Sequence, residues 1–217
     1  MKSISHEHGK INSKIVSKQI ISTVFLTILT LLTMESQAQT FKTIENKDLK
    51  LEVYNASENS FGVASVIVSG KKDAVLIDTQ FTLADAEKVA QEIKKSGKKL
   101  TTIFVSHGDP DFYFGLEVFK KYFPEVTAYA TPATIEHIKA TAQKKLDVWG
   151  ERLGKNITSN VILPQVLKGN SIELEGHHLE IVGLQEFPSQ TFVWIPSIKA
   201  VVGGINVFGT TFHLWMA

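Results

Sequence analysis

The 217-residue sequence contains no cysteine. Disulfides and thiolate ligands are therefore excluded, and any metal ion must be bound by nitrogen and oxygen atoms. The sequence also lacks a surplus of positive charge, because 23 Lys and Arg face 22 Asp and Glu. This balance argues against nucleic acid and anionic lipid surfaces as partners.

A hydrophobic run long enough to cross a bilayer is missing near the N-terminus. The apolar stretch 20–32 has 13 residues, and a spanning helix needs about 20. Four lysines precede this stretch and the small residues Ser36-Gln37-Ala38 follow it, as is typical of a secretory signal peptide. We predict cleavage after Ala38, export to the periplasm or the medium, and no membrane span in the mature chain. An uncleaved anchor is the alternative.

The remaining residues, 39–217, are predicted to form one domain. The chain has 43% hydrophobic residues, and removal of 1–38 leaves 19 basic and 20 acidic side chains. That length and composition suit one substantial hydrophobic core. The sequence shows no internal repeat and no domain linker after Gln39.

The first half of this domain alternates strands and helices. Stretches 49–55 and 62–69 are rich in valine and isoleucine and predict a hairpin, and 74–77 predicts a third strand. Thr82 is expected to cap a helix that Gly97 closes.

The pattern continues with a strand at 100–105, a helix at 116–123 and a strand at 126–130. The longest predicted helix, 132–149, has a polar face that carries His137, which we interpret as a surface residue. Beyond it the pattern turns to strands, at 161–163, 171–174, 178–184, 191–195 and 199–202. This order predicts helices packed outside two facing sheets.

A loop of ten residues, SHGDPDFYFG at 106–115, joins the strand at 100–105 to the next helix. His107, Asp109 and Asp111 alternate along it, and Gly and Pro break its backbone. One imidazole and two carboxylates so placed can converge on a metal ion. In the alternative interpretation the carboxylates cap the following helix and His107 bonds locally.

This loop resembles the metal-binding signature H-x-H-x-D-H of the metallo-β-lactamase superfamily. His107 and Asp111 match it, whereas Asp109 stands at the second histidine and Phe112 at the third. The strand 74–78 and the segments 194–196 and 201–204 extend the resemblance. It implies an α/β fold, the four-layer αββα sandwich.

The resemblance also implies a ligand set. His107 and Asp109 would bind a first metal ion, and Asp111 would bind a second and act as the catalytic residue that orients the attacking water. Asp78 would support the site from behind. The metal would be zinc, or iron or manganese because oxygen donors favour them.

Several later positions depart from the family pattern. Gln190 stands where a third histidine is expected, and Ile205, beside Asn206, stands where an aspartate should bridge two metals. The last ligand would lie beyond the end of the chain, and His213 is the only imidazole in that region. We therefore expect a domain that is truncated at its C-terminus.

By resemblance the protein would be a metal-dependent hydrolase of a small ester, lactone, thioester or lactam, acting by metal-bound hydroxide. The aromatic residues 112–114 would wall its pocket or belong to the core. The departures favour an alternative: an inactive pseudo-enzyme or binding module that keeps the fold, with or without a metal. Ser69-Gly70-Lys71-Lys72 fits the S-x-x-K pattern of serine enzymes, but that serine should open a helix, and here it precedes a turn.

Overall fold

The computed structural model describes residues 41–46 and 48–206. The predicted signal peptide at 1–38, its cleavage site and His213 lie outside these residues. In the described part of the chain, no helix combines the length and the apolar character that a bilayer crossing requires.

The larger of the two sheets in the described residues has seven strands in sequence order. Its first four strands are antiparallel neighbours, and β4 to β7 run parallel. The predicted hairpin at 49–69 is confirmed. The strands are β1 (Phe41–Glu45), β2 (Lys50–Asn55), β3 (Ala64–Ser69), β4 (Asp73–Ile77), β5 (Lys99–Phe104), β6 (Thr127–Ala130) and β7 (Gln165–Val166).

Four α-helices follow the strands of this sheet: α1 (Leu83–Ser96), α2 (Pro110–Tyr113), α3 (Leu116–Tyr122) and α4 (Pro132–Leu153). The caps of α1 are as predicted. The Thr82 side chain accepts a hydrogen bond from the Asp85 backbone N–H, and Gly97 ends the helix with a φ of 70°. The helix α4 continues one turn beyond the predicted end at residue 149, to Leu153, and Gly154 is its C-cap.

The smaller sheet is antiparallel, in the order β11-β10-β9-β8. Two hydrophobic cores result. One lies between the helices and the larger sheet, and the other lies between the two sheets. In β4 the side chain of Leu76 belongs to the first core and that of Ile77 to the second, so this strand is apolar on both faces. The strands of the smaller sheet are β8 (Ser171–Leu174), β9 (His177–Val182), β10 (Phe192–Ile195) and β11 (Ala200–Val202).

The predicted α/β arrangement of two facing sheets with outer helices is confirmed. Within residues 41–46 and 48–206 no helix packs on the outer face of the smaller sheet. The described part therefore contains three of the four predicted layers.

Two predicted strand limits are wrong. Residues 161–163 form no strand, and only Gln165–Val166, after Pro164, pairs with β6. Proline has no N–H to donate to a neighbouring strand, so the pairing with β6 begins only after Pro164. The strand β9 begins at His177, because a two-residue turn with positive φ at Glu175 and Gly176 suffices for the hairpin.

Candidate functional site

The predicted site residues lie at the carboxyl ends of the parallel strands. Asp78 follows β4, Ser106 and His107 follow β5 closely, and Thr131 follows β6. Open sheets with parallel strands bind their ligands at this edge, because the connecting loops converge there. The topology therefore brings the central loop, 106–115, to the edge where a ligand is expected.

Asp78 fastens the central loop to the sheet. Its Oδ1 accepts a hydrogen bond from the Ser106 backbone N–H and its Oδ2 accepts one from the Ser106 hydroxyl, both at 2.8 Å. Burial raises the pKa of Asp78 to about 7. The smaller sheet joins this network, because the N–H of Gly204 donates to the Ser106 hydroxyl oxygen at 3.0 Å. Asp78 thus holds the central loop in place through Ser106, which is the supporting role that the resemblance implied.

A second connection holds the far end of the central loop. The backbone N–H and the hydroxyl of Thr79 both donate to the carbonyl oxygen of Phe112, at 2.9 and 3.0 Å. A Cβ at Gly115 would lie 1.8 Å from the Thr79 carbonyl oxygen. Only glycine permits this close approach of the two loops.

His107 is buried, with 5% of its surface exposed. Its Nδ1 accepts a hydrogen bond from the Asp109 backbone N–H at 3.0 Å, and its backbone forms a bridge with Gln190. Burial lowers the pKa of His107 to about 4, so the ring is neutral at physiological pH. A neutral imidazole has one nitrogen lone pair, and the hydrogen bond from Asp109 engages it. A metal ion could bind Nδ1 only by displacing the Asp109 N–H.

Asp109 pairs with the polar face of α4. The Lys145 Nζ lies 2.5 Å from Asp109 Oδ1, and the His137 Nε2 lies 3.6 Å from the same oxygen. Burial would raise the pKa of Asp109, but the hydrogen bond from Lys145 and the neighbouring charges hold it below its ordinary value. Asp109 is therefore an ionised partner of a lysine ammonium.

The interpretation of His137 as a surface residue agrees with its side chain, which is 40% exposed, but this surface faces the candidate site. Its ring lies against the central loop, and a Cβ at Gly108 would come within 2.6 Å of His137 Cδ2. The fourfold spacing of His137, Thr141 and Lys145 shows in the sequence that they share a helix face. Periodicity does not say what covers that face, and here the face meets Asp109.

Asp111 lies in the one-turn helix α2. Its carboxyl group accepts a hydrogen bond from its own backbone N–H and none from another described residue. Burial, together with the negative charge of Asp109, raises the pKa of Asp111 to about 7. The Tyr113 hydroxyl is also buried without a partner among the described residues.

The three aromatic residues after Asp111 divide between two environments. The ring of Phe112 is partly buried, with its centroid 5.1 Å from that of His107. Tyr113 and Phe114 are core residues, each 1% exposed. Of the predicted pocket wall, only Phe112 lies at the site.

The later positions of the family pattern supply no strong metal ligand. Gln190 is engaged through its backbone, because its carbonyl oxygen accepts from the Asn206 side chain at 3.0 Å. Ile205 is apolar. Thr191 donates from its N–H and its hydroxyl to the Ser106 carbonyl oxygen, which holds this segment beside the loop.

These donors do not fit a catalytic metal ion. The lone pair of His107 is engaged, Asp109 faces an ammonium, and Ile205 has no donor atom. Over residues 41–46 and 48–206, no three or more His, Asp or Glu side chains form a group that could hold a metal. The ligand roles of His107, Asp109 and Asp111 stay predictions.

Comparisons with known proteins agree with the fold. A family model described as the metallo-beta-lactamase superfamily matches residues 59–192. No curated protein matches the sequence. Similar solved structures include a metallo-beta-lactamase from Pontibacter korlensis, with 18% identity and a TM-score of 0.56 over 79% of this chain and 74% of that one. The metallo-beta-lactamase IND-7 has 19% identity and a TM-score of 0.58 over 81% of this chain and 75% of that one. DIM-1 metallo-beta-lactamase has 20% identity and a TM-score of 0.54 over 79% of this chain and 72% of that one.

Identities this low show a shared fold alone, whereas the family match covers more than half of the chain. The superfamily generally binds divalent metals such as zinc, and membership supports metal-dependent hydrolysis only as its general class of activity. The family match, the order of the strands and the position of the central loop agree with one another. The chain therefore belongs to the metallo-beta-lactamase superfamily.

Proposed function

We propose that this protein is a non-hydrolytic member of the superfamily that binds a small molecule at the loop edge of its larger sheet. One observation carries the proposal: two of the three predicted ligands in the central loop are engaged within the protein. His107 accepts from the Asp109 N–H, and Asp109 pairs with Lys145. A metal that generates hydroxide needs free donors and an open coordination position.

The polar surface at this edge remains accessible. The side chains of Asp109, His137 and Lys145 are 36%, 40% and 30% exposed, and the partly buried ring of Phe112 lies next to His107. A few convergent polar groups beside an aromatic ring are typical of sites for small polar molecules. This combination supports binding without a reaction.

Asp111 favours a second candidate, a metal-dependent hydrolase of a small ester, lactone, thioester or lactam. Its carboxyl group has no partner from another described residue, so it alone of the three predicted ligands is uncommitted. In this candidate His107, Asp109 and Asp111 would hold zinc, iron or manganese. His107 would first have to lose its hydrogen bond from the Asp109 N–H, and Asp109 its ion pair with Lys145.

Metal analysis of the purified protein, with assays on a panel of esters, lactones, thioesters and lactams, separates the two candidates. The proposal expects metal well below one ion per chain and no turnover with added zinc, iron or manganese. It also expects that a member of the panel raises the melting temperature, because a ligand stabilises the folded state. Stoichiometric metal and turnover that both disappear in His107→Ala would establish the hydrolase instead.

A further inference from the structure

Eight lysines gather at the edge of the larger sheet that lies opposite the candidate site. They come as adjacent pairs, in the β3–β4 turn, at the end of α1, at the start of β5 and at the end of α3. We call this surface the lysine edge. Its members are Lys71, Lys72, Lys94, Lys95, Lys98, Lys99, Lys120 and Lys121.

Contacts between the pairs make the lysine edge one continuous surface. The Lys98 Nζ donates to the Lys71 carbonyl oxygen at 2.5 Å, and the Lys99 backbone N–H donates to the Lys72 carbonyl oxygen at 2.9 Å. The Lys94 Nζ lies 5.8 Å from the centre of the Tyr122 ring, at the end of α3. Pairs that are far apart in the sequence are therefore brought together by the fold.

Neighbouring carboxylates offset only part of this positive charge. Of the eight lysines, Lys95 alone forms an ion pair within the described residues, with Glu92 at 3.5 Å. The Glu175 carboxylate is held by three backbone N–H groups of the β3–β4 turn. The other acids beside the lysine edge are Asp73, Glu125, and Glu45 and Asp48 of the β1–β2 turn. The net charge of the chain does not reveal this surplus, because it carries no information on position.

An apolar turn lies among these lysines. Phe123 and Pro124 follow α3 and, with Leu100, line a hollow of about 190 Å³ that Lys98 and Lys99 border. Pro124 is exposed and Phe123 is half-buried. Cations around an apolar group are typical of surfaces that lie on a membrane, because ammonium groups meet lipid phosphates while apolar groups enter the headgroup region.

We propose that the lysine edge is a docking surface for a membrane rich in anionic lipids, with the Phe123–Pro124 turn entering the headgroup region. Nucleic acid fits this surface less well, since it has no apolar layer to receive the turn. The chain's only arginine, the residue that pairs best with phosphates and bases, is Arg152 of α4. Docking through the lysine edge leaves the candidate site, at the opposite edge of the sheet, open to solvent.

The test measures co-sedimentation of the full chain with vesicles of phosphatidylcholine alone and of phosphatidylcholine mixed equally with phosphatidylglycerol. We expect tighter binding to the anionic vesicles, and weaker binding as salt is added, because salt screens exposed charges. A variant that combines Lys71→Gln, Lys72→Gln, Lys99→Gln and Lys121→Gln should bind the anionic vesicles about tenfold more weakly or less. All four side chains are exposed.

The matched control combines Lys139→Gln, Lys144→Gln, Lys155→Gln and Lys168→Gln, which change four exposed lysines elsewhere on the molecule. It has the same net charge as the first variant, and residues 1–38 are identical in both, so only the position of the lost charges differs. We expect the control to bind the anionic vesicles within about twofold of the wild type.

Thermal unfolding checks that both variants are folded. If the first variant does not fold, Lys71→Gln with Lys72→Gln and Lys99→Gln with Lys121→Gln are measured as separate double variants, and each should show part of the loss. Equal losses in variant and control, or a wild type that does not prefer anionic vesicles, would overturn the inference. A loss that appears with a double-stranded oligonucleotide and not with vesicles would overturn it in favour of nucleic acid.

Discussion

Asp78 follows β4, yet its carboxylate holds Ser106, which lies beyond the end of β5. Burial raises its pKa from 3.8 to about 7. A carboxyl group with a higher pKa in the folded chain binds its proton more tightly when folded. Its contribution to stability is therefore present at low pH and is lost as the pH rises from about 4 to about 7.

We expect the wild type to melt at a lower temperature near pH 8 than near pH 5, and Asp78→Asn to reduce this difference. Thermal unfolding at the two pH values measures it. Glu186→Gln, a change in an exposed carboxylate, is the control and should behave as the wild type does. An unchanged pH dependence in Asp78→Asn would assign the effect to other groups, such as Asp111.

Two glycines allow a matched test of close packing. Gly115→Ala places a Cβ 1.8 Å from the Thr79 carbonyl oxygen, whereas a Cβ at Gly150 in α4 meets nothing within 4 Å. We expect Gly115→Ala to lower the free energy of unfolding by about 3 kcal/mol or more, since backbone must move. Gly150→Ala should raise it by about 0.5–1 kcal/mol, because alanine favours the helix. Denaturant titration gives both values, and a tolerated Gly115→Ala would contradict the contact.

At the scale of elements, the β8–β9 hairpin is attached to the β3–β4 turn by one side chain. The Glu175 carboxylate accepts hydrogen bonds from the backbone N–H groups of Lys71, Lys72 and Asp73, at 2.8, 2.6 and 2.7 Å. These bonds lower the pKa of Glu175 to about 2. The carboxylate thus connects the two sheets at the edge opposite the candidate site.

We expect Glu175→Gln to lower the melting temperature near pH 7 more than Glu173→Gln, which changes an exposed residue of β8. The stabilisation by Glu175 is present above about pH 4.5 and is lost as the pH falls towards 2, because the folded pKa is the lower one. The gap between wild type and Glu175→Gln should therefore narrow between pH 5 and pH 3. A gap that does not depend on pH would point to packing and not to the charge.

At the scale of the whole molecule, export stays a prediction that rests on residues 1–38. Expression in a Gram-negative host, followed by fractionation and N-terminal sequencing, tests it. We expect the protein in the periplasm, beginning at Gln39, since the apolar stretch of 13 residues is too short to span a bilayer. An intact N-terminus in the membrane fraction would identify an anchor.

Much of the fold follows from local signals in the sequence. Thr82 and Gly97 delimit α1 and Pro132 opens α4, because caps and first-turn prolines act on neighbouring backbone groups. The apolar run of β4 indicates a strand covered on both faces, and the loop at 106–115 indicates the family. These features depend on residues within one or two turns of each other.

The tertiary structure decided what the central loop contacts. Periodicity places His137 and Lys145 on one face of α4, but only the packing of α4 beside the loop sets Lys145 against Asp109. The residue type of His107 allows it to bind a metal or a neighbouring backbone group. In the folded protein its Nδ1 accepts a hydrogen bond from the Asp109 N–H. Side-chain type determines which partners are chemically possible, whereas distances between residues far apart in the chain determine which partner is met.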